Sequence, residues 1–186
     1  MPERYKNRYR IQSARLKDWD YGSDAMYFVT ICTQNREHYF GDIVDDEMQL
    51  SQLGMAAEKY WSEIPNHFPF VILDACVVMP NHIHGIIVID KTNYRRNNVE
   101  TQNLASLQQQ PPSKPKNKFG PQSKNLASII RGFKIGITKY AKNNDLEFGW
   151  QSRFYDHIIR NDKSYNNIVN YIVTNPQHWD IDENRK

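Results

Sequence analysis

Residues Val71 to Asp90 read VILDACVVMPNHIHGIIVID, and the fold turns on how this stretch divides. Val71 to Met79 is dense in apolar and β-branched residues and predicts a strand. Pro80 and Asn81 break it, and His82 to Asp90 resumes as a further strand. So short a break predicts an antiparallel hairpin. Successive residues of a strand point to opposite faces. His82 and His84 therefore share one face, and Ile83 points to the other, toward a core.

Working outward, Tyr27 to Thr33 (YFVTICT) is a strand by its β-branched and aromatic content, and Gly41 with Asp42 marks a turn. Leu50 to Ile64 reads as a helix, with Leu53, Ala57, Tyr60 and Ile64 at helical spacing and Pro65 as its stop. Leu126 to Asn143 is an amphipathic helix. Its apolar stripe holds Leu126, Ile129, Ile130, Phe133, Ile137 and Tyr140, and its flank holds Arg131, Lys134 and Lys142. Phe148 to Ile159 is aromatic and irregular. A last helix starts at Asn161 or Asp162 and ends near Asn175, before Pro176. The order strand, helix, two strands, helix, helix predicts a single α+β domain over residues 1–186, with helices packed on a small sheet.

Two segments differ in kind. Residues 1–20 form a basic arm. Within its first seventeen residues Arg4, Lys6, Arg8, Arg10, Arg15 and Lys17 face Glu3 alone, with Tyr5 and Tyr9 interleaved. Such an arm suits phosphates and unpaired bases, or frays as a solvated terminus. Residues 91–123 are rich in Asn, Gln, Pro and Lys and contain the run from Gln108 to Pro112, which predicts a flexible insert. The net charge of +3 does not by itself demand nucleic acid. Cys32 and Cys76 lie in apolar runs and read as buried, reduced thiols, which fits a cytoplasmic protein. No secretory signal opens the chain, and no run approaches the ~18 apolar residues of a membrane span.

Two imidazoles side by side on a rigid strand can share a divalent ion. A bare His-x-His is a weak signal, and most such pairs are surface or packing residues. In the last helix Tyr165, Ile168, Val169, Ile172 and Val173 form the apolar stripe. At ~100° per residue, Tyr171 lies roughly 130° from the stripe's centre, with Asn175 about 40° from Tyr171 on the same edge. A phenol is a possible nucleophile for phosphorus, and a nearby cation eases its ionisation. The Asn175 oxygen is a candidate third ligand. The plain readings are a surface tyrosine and a helix-terminal asparagine.

Together these residues resemble a known family. Val77 to His84 (VVMPNHIH) resembles the His-hydrophobic-His motif of single-tyrosine HUH transposases. Trp150 to Arg160 (WQSRFYDHIIR) and Tyr171 to Pro176 (YIVTNP) resemble segments of their REP-associated branch. The likeness spans roughly Tyr27 to Trp179, the insert excepted. It implies a ferredoxin-like (RRM-like) antiparallel sheet and a metal-dependent enzyme that cuts single-stranded DNA beside hairpins of repetitive palindromic elements. It implies Tyr171 as the nucleophile that becomes joined to the 5′-phosphate, and His82, His84 and Asn175 as ligands of Mg²⁺ or Mn²⁺. Arg4, Arg8, Arg10, Arg131, Lys134 and Arg153 are the candidate DNA contacts. Insertion-sequence relatives carry Gln where this chain has Asn175, which agrees with the REP-associated branch. Those relatives are dimers with shared sites, whereas the REP-associated branch can work as a monomer, so the resemblance leaves monomer and homodimer both open. The rival expectations are a non-catalytic binder of structured nucleic acid and a hydrolase that activates water.

Overall fold

The computed structural model describes Leu16, residues 19–102 and residues 123–185. Strand β1 (Ala25–Cys32) is followed by β2 (Gly41–Val44) and β3 (Glu47–Leu50), then by helix α1 (Gln52–Ser62) and the single turn α2 (Ile64–His67). Strands β4 (Val71–Met79) and β5 (His82–Ile89) come next, then α3 (Lys91–Gln102), α4 (Leu126–Asn143), β6 (Tyr155–Ile159) and α5 (Asp162–Thr174). A 3-10 segment, Pro176–Ile181, leads into the tail.

The main sheet has four strands in the order β4-β5-β1-β6, with every neighbouring pair antiparallel. With α1 and α4 as the crossovers, this is the βαββαβ arrangement of a ferredoxin-like α+β domain. Strand alternation gives the sheet two working faces. Tyr27, Val29, Ile31, Ile83 and Ile87 point to one side and pack with Leu53, Trp61, Ile129, Phe133 and Ile137 of α1 and α4. Phe28 and Ile86 point to the other side and pack with Ile159 and Ile172 under α5. His82 and His84 share parity with Ile86, so they stand on the α5 side.

The helices start where local chemistry satisfies their free N–H groups. The Ser51 side chain accepts from Gly54 N at α1, Asn125 and Ser128 form a capping box at α4, and Asn161 accepts from Ser164 N at α5. The β2–β3 hairpin turns at Asp45 and Asp46, both left-handed with φ of 51° and 61°. The turn expected at Gly41 and Asp42 is therefore the hairpin's first strand, too short to carry a strand signal. Strand β6 lies within the stretch read as irregular. It is an edge strand whose residues are mostly exposed or half-buried, so it lacks an apolar pattern.

The insert expected from Lys91 to Ser123 opens as a helix instead, α3, over 12 residues. Acidic side chains upstream supply what its composition does not. Asp24 accepts from Lys91 N at 2.8 Å and Thr92 N at 3.1 Å, and Asp90 accepts from Asn93 N at 3.0 Å. Residues 103–122 lie outside the described residues, as does the basic arm apart from Leu16, Trp19 and Asp20. No described helix is long and apolar enough to cross a membrane.

Gly85, between the histidines and the rest of β5, faces α1. A Cβ there would lie 2.3 Å from Cζ2 of Trp61. Gly85→Ala is expected to destabilise the fold by about 1–3 kcal/mol through overpacking. Urea denaturation reads this as a lower midpoint, and an unchanged midpoint would refute the close approach.

Candidate functional site

Strands β1 and β5 pair with Thr30 opposite His84 and Cys32 opposite His82. The two imidazole rings lie 4.4 Å apart and are 0% and 1% exposed. The tautomer of His82 follows from its neighbour. Asn81 Nδ2 donates to the carbonyls of Arg36 (3.2 Å) and Asn184 (2.9 Å), so its Oδ1 is the acceptor that meets His82 Nδ1 at 2.8 Å. An acceptor there requires the proton on Nδ1 and leaves His82 Nε2 a bare lone pair. That nitrogen faces Asp182 Oδ2 at 3.8 Å, and neither atom has a hydrogen-bond partner. Burial, reinforced by His84 and Arg36, holds the His82 pKa well below the usual imidazole range. Two buried acceptors thus confront each other without a proton to share, an arrangement that suits a cation.

His84 is held by Thr30, whose Oγ1 lies 2.9 Å from Nδ1. Burial pushes its pKa down to about 4, against an opposing pull from Asp182. Both imidazoles are therefore neutral near pH 7, the state in which imidazole ligates metals.

Helix α5 brings Tyr171 to this pair. Its hydroxyl lies 3.1 Å from His84 Nε2, and its ring meets Phe28 edge-on at 6.1 Å. Tyr171 is 42% exposed, as expected for a residue off the apolar stripe, whereas Val173, read as part of that stripe, is 66% exposed. Burial raises the phenol's pKa, Asp182 and Glu183 add to the rise, and a hydrogen bond from Asn175 opposes it. Asn175 itself is buried, and its Oδ1 has no partner.

The tail completes the cluster. Trp179 is buried with its ring 6.1 Å from that of His82 and 5.5 Å from that of His38, which seats the residues after it beside the histidines. Ligand atoms of His82, His84 and Asp182 all lie within 4.8 Å of one another. Sequence reading missed Asp182. It follows Pro176 in a segment with no strand or helix periodicity, and its one signal is the acidic run Asp180, Asp182 and Glu183.

A cleft of about 600 Å³ opens over the site, with Arg36, His84, Arg153, Tyr155 and Tyr171 among its walls. Arg153 is exposed, in a left-handed conformation (φ 70°), on the strap before β6. Exposed Arg131 lines a neighbouring groove with it. Lys134, expected to contact phosphate, is engaged elsewhere. Its ammonium donates to the carbonyls of Gln151 (2.8 Å) and Arg153 (2.6 Å) and sits 5.3 Å from the Trp150 ring centroid. Burial lowers its pKa to about 8. Trp150 packs with Phe40, Phe133 and Phe148 in the core, while Tyr155 is 53% exposed. Arg4, Arg8 and Arg10 lie outside the described residues.

No protein-family model matches the chain. An uncharacterized protein of Haemophilus influenzae is 42% identical over 173 residues, which cover 92% of this chain and 91% of that protein. The two belong to one family. A second Haemophilus influenzae protein, provisionally named a REP-associated tyrosine transposase, is 26% identical over 160 residues, 84% of this chain and 73% of its own. Among solved structures, a REP-associated tyrosine transposase bound to a REP hairpin matches with a TM-score of 0.55 and 20% identity, over 89% of this chain and 73% of that one. The chain is thus similar to a protein named for the REP-associated tyrosine transposases in sequence, and to a solved one in fold. It shares with the solved transposase the mixed α+β fold, and its likeness to such transposases extends well beyond the histidine strand.

Lys134 fastens the strap from Gln151 to Arg153 onto α4. Lys134→Met removes two charge-assisted hydrogen bonds. The amides of residues 151–154 are then expected to exchange at least about tenfold faster, since each bond contributes on the order of 1.5–3 kcal/mol, while β1 and β5 stay protected. Unchanged exchange in the strap would refute the fastening.

Proposed function

We propose that the chain is a metal-dependent single-strand DNA endonuclease and strand transferase that joins Tyr171 to a 5′-phosphate at or near DNA hairpins. One observation carries this reading. The Tyr171 hydroxyl lies 3.1 Å from His84 Nε2, beside an unpartnered His82 nitrogen and Asp182 oxygen.

Two neutral imidazoles and a carboxylate, with orphaned acceptors among them, fit a divalent ion of the Mg²⁺ or Mn²⁺ class. His82, His84 and Asp182 would hold it, and Asn175 Oδ1 is a further donor. Such an ion supplies positive charge that offsets charge developing on the phosphate and favours the ionised phenol. The phenol and a metal use the same lone pair of His84 Nε2, so the observed hydrogen bond belongs to the resting arrangement.

In the reaction the Tyr171 oxygen forms a bond to phosphorus, and the bond from phosphorus to the 3′-oxygen breaks. The phenol proton is lost, and the departing oxygen becomes a 3′-hydroxyl. The new ester conserves bond energy, so a 3′-hydroxyl can reverse the step and join strands. No general base is assigned. His157 is exposed and is not among the residues lining the cleft. Arg153 and Arg131 suit the backbone, and Tyr155 suits an unpaired base. The solved relative's REP hairpin points to repetitive palindromic DNA as the substrate, and such a substrate makes the cytoplasm its place of action. Tyr171 reaches His84 within its own chain, a geometry in which a monomer suffices and a homodimer need not share its sites.

The test is a labelled panel of single-stranded hairpins incubated with Mn²⁺ and run under denaturing conditions. The expected result is a covalent protein–DNA band, absent in Tyr171→Phe and in His82→Ala. Asp182→Asn is expected to raise the Mn²⁺ concentration for half-maximal adduct by about 10–100-fold, the usual range for losing a supporting group at a metal site. Binding without a covalent band would make the protein a nucleic-acid-binding module. Cleavage that survives Tyr171→Phe would make it a hydrolase.

A further inference from the structure

Arg36 ends the 3-10 turn Gln34–Arg36 that follows β1, and nothing in its local sequence singles it out. Two features mark its placement. Asn35 and Arg36 are consecutive left-handed residues, with φ of 53° and 60°. Neither is glycine, and such a backbone costs on the order of 1–3 kcal/mol per residue, so the surrounding structure must fix it. Asn81 does so. Its Nδ2 donates to the Arg36 carbonyl at 3.2 Å, while its Oδ1 meets His82 Nδ1 at 2.8 Å. One carboxamide thus fixes the turn that carries Arg36 and the ring orientation of His82.

The guanidinium lines the same cleft as His84, Arg153 and Tyr171. Its partners are neutral: Nη1 donates to Cys32 Sγ at 2.8 Å and to Asn184 Oδ1 at 2.9 Å. Among the described residues no carboxylate lies within ion-pairing distance of it. A half-buried cation with only uncharged acceptors, beside an attacking group, is built to receive an anion. A guanidinium can bind two oxygens of a phosphate at once.

We propose that Arg36 is the phosphate anchor of the site, binding non-bridging oxygens of the DNA phosphate that Tyr171 addresses. This rests on the functional reading above. Arg153, on the exposed strap, serves the flanking backbone. The neutral Asn184 contact is the one that the phosphate replaces.

A methylphosphonate scan tests the assignment. Each hairpin carries one uncharged methylphosphonate in its single-stranded flank, and affinity is read by fluorescence anisotropy in chelator, so that neither metal nor cleavage is needed. The hairpin is the one that binds wild-type protein best. Wild type is expected to lose about tenfold or more in affinity at one position. Arg36→Gln is expected to bind the all-phosphate hairpin more weakly by a similar factor and to lose sensitivity at that position alone. Arg36→Lys is expected to retain part of that sensitivity. A structural role would weaken binding evenly and keep the wild-type profile, and that outcome, or an unchanged profile in Arg36→Gln with full affinity, overturns the proposal. A scan with the expected pattern but no covalent adduct would preserve Arg36 as an anchor and sink the transferase reading instead. No hairpin binding by wild type would sink both.

Discussion

The hydrogen bond between Asn81 Oδ1 and His82 Nδ1 decides what the rest of the site can do. It sets the proton on one nitrogen of His82 and exposes the lone pair of the other toward Asp182. Asn81 can act this way because it is itself immobilised. Its Nδ2 is committed to the Arg36 and Asn184 carbonyls, and its backbone carbonyl accepts from Thr33 N at 2.9 Å and from Thr33 Oγ1 at 2.9 Å. A buried two-residue turn between β4 and β5 thereby ties together the end of β1, the first histidine and the tail. The outer partners of a ligating histidine commonly fix its tautomer in this manner.

The sheet divides labour between its faces. One face carries the larger core with α1 and α4, where branched aliphatic and aromatic side chains interlock and Trp61 crosses Gly85. The other carries a smaller core under α5 that stops at Phe28 and Ile86 and gives way to Thr30, His82 and His84. Leaving His82 Nε2, Asn175 Oδ1 and Asp182 Oδ2 buried without partners costs about 1–3 kcal/mol each. A fold tolerates such groups where they serve chemistry, and here all three belong to the site that α5 and the tail enclose.

How far the sequence could be read followed from how local each signal was. The histidine pair was legible because strand parity is a two-residue rule. The α4 stripe was legible because helical spacing spans only a few turns, and so was that of α5 apart from Val173, which the structure leaves 66% exposed. The placing of Tyr171 off the α5 stripe followed from the same spacing. Asp182 was not legible, because its position depends on Trp179 docking against His82 and His38 rather than on any period of its own. Arg36 was hidden for the same reason, since a left-handed turn locked by a side chain 45 residues on leaves no local mark. Lys134 looked like a free basic residue because the carbonyls that hold it lie 17 and 19 residues away in sequence. The α3 helix escaped notice because the aspartates that cap it precede a segment whose own composition argues for disorder.

The proposed chemistry depends on His82, His84 and Asp182 forming one metal-binding cluster beside Tyr171. Anomalous diffraction from a crystal grown with Mn²⁺ addresses it directly. The expected result is a single strong peak bonded to Nε2 of both histidines and to an Asp182 oxygen, with the Tyr171 hydroxyl no longer hydrogen-bonded to His84. A Mn²⁺ peak confined to other carboxylates, with His82 and Asp182 still facing each other unbridged, would contradict it.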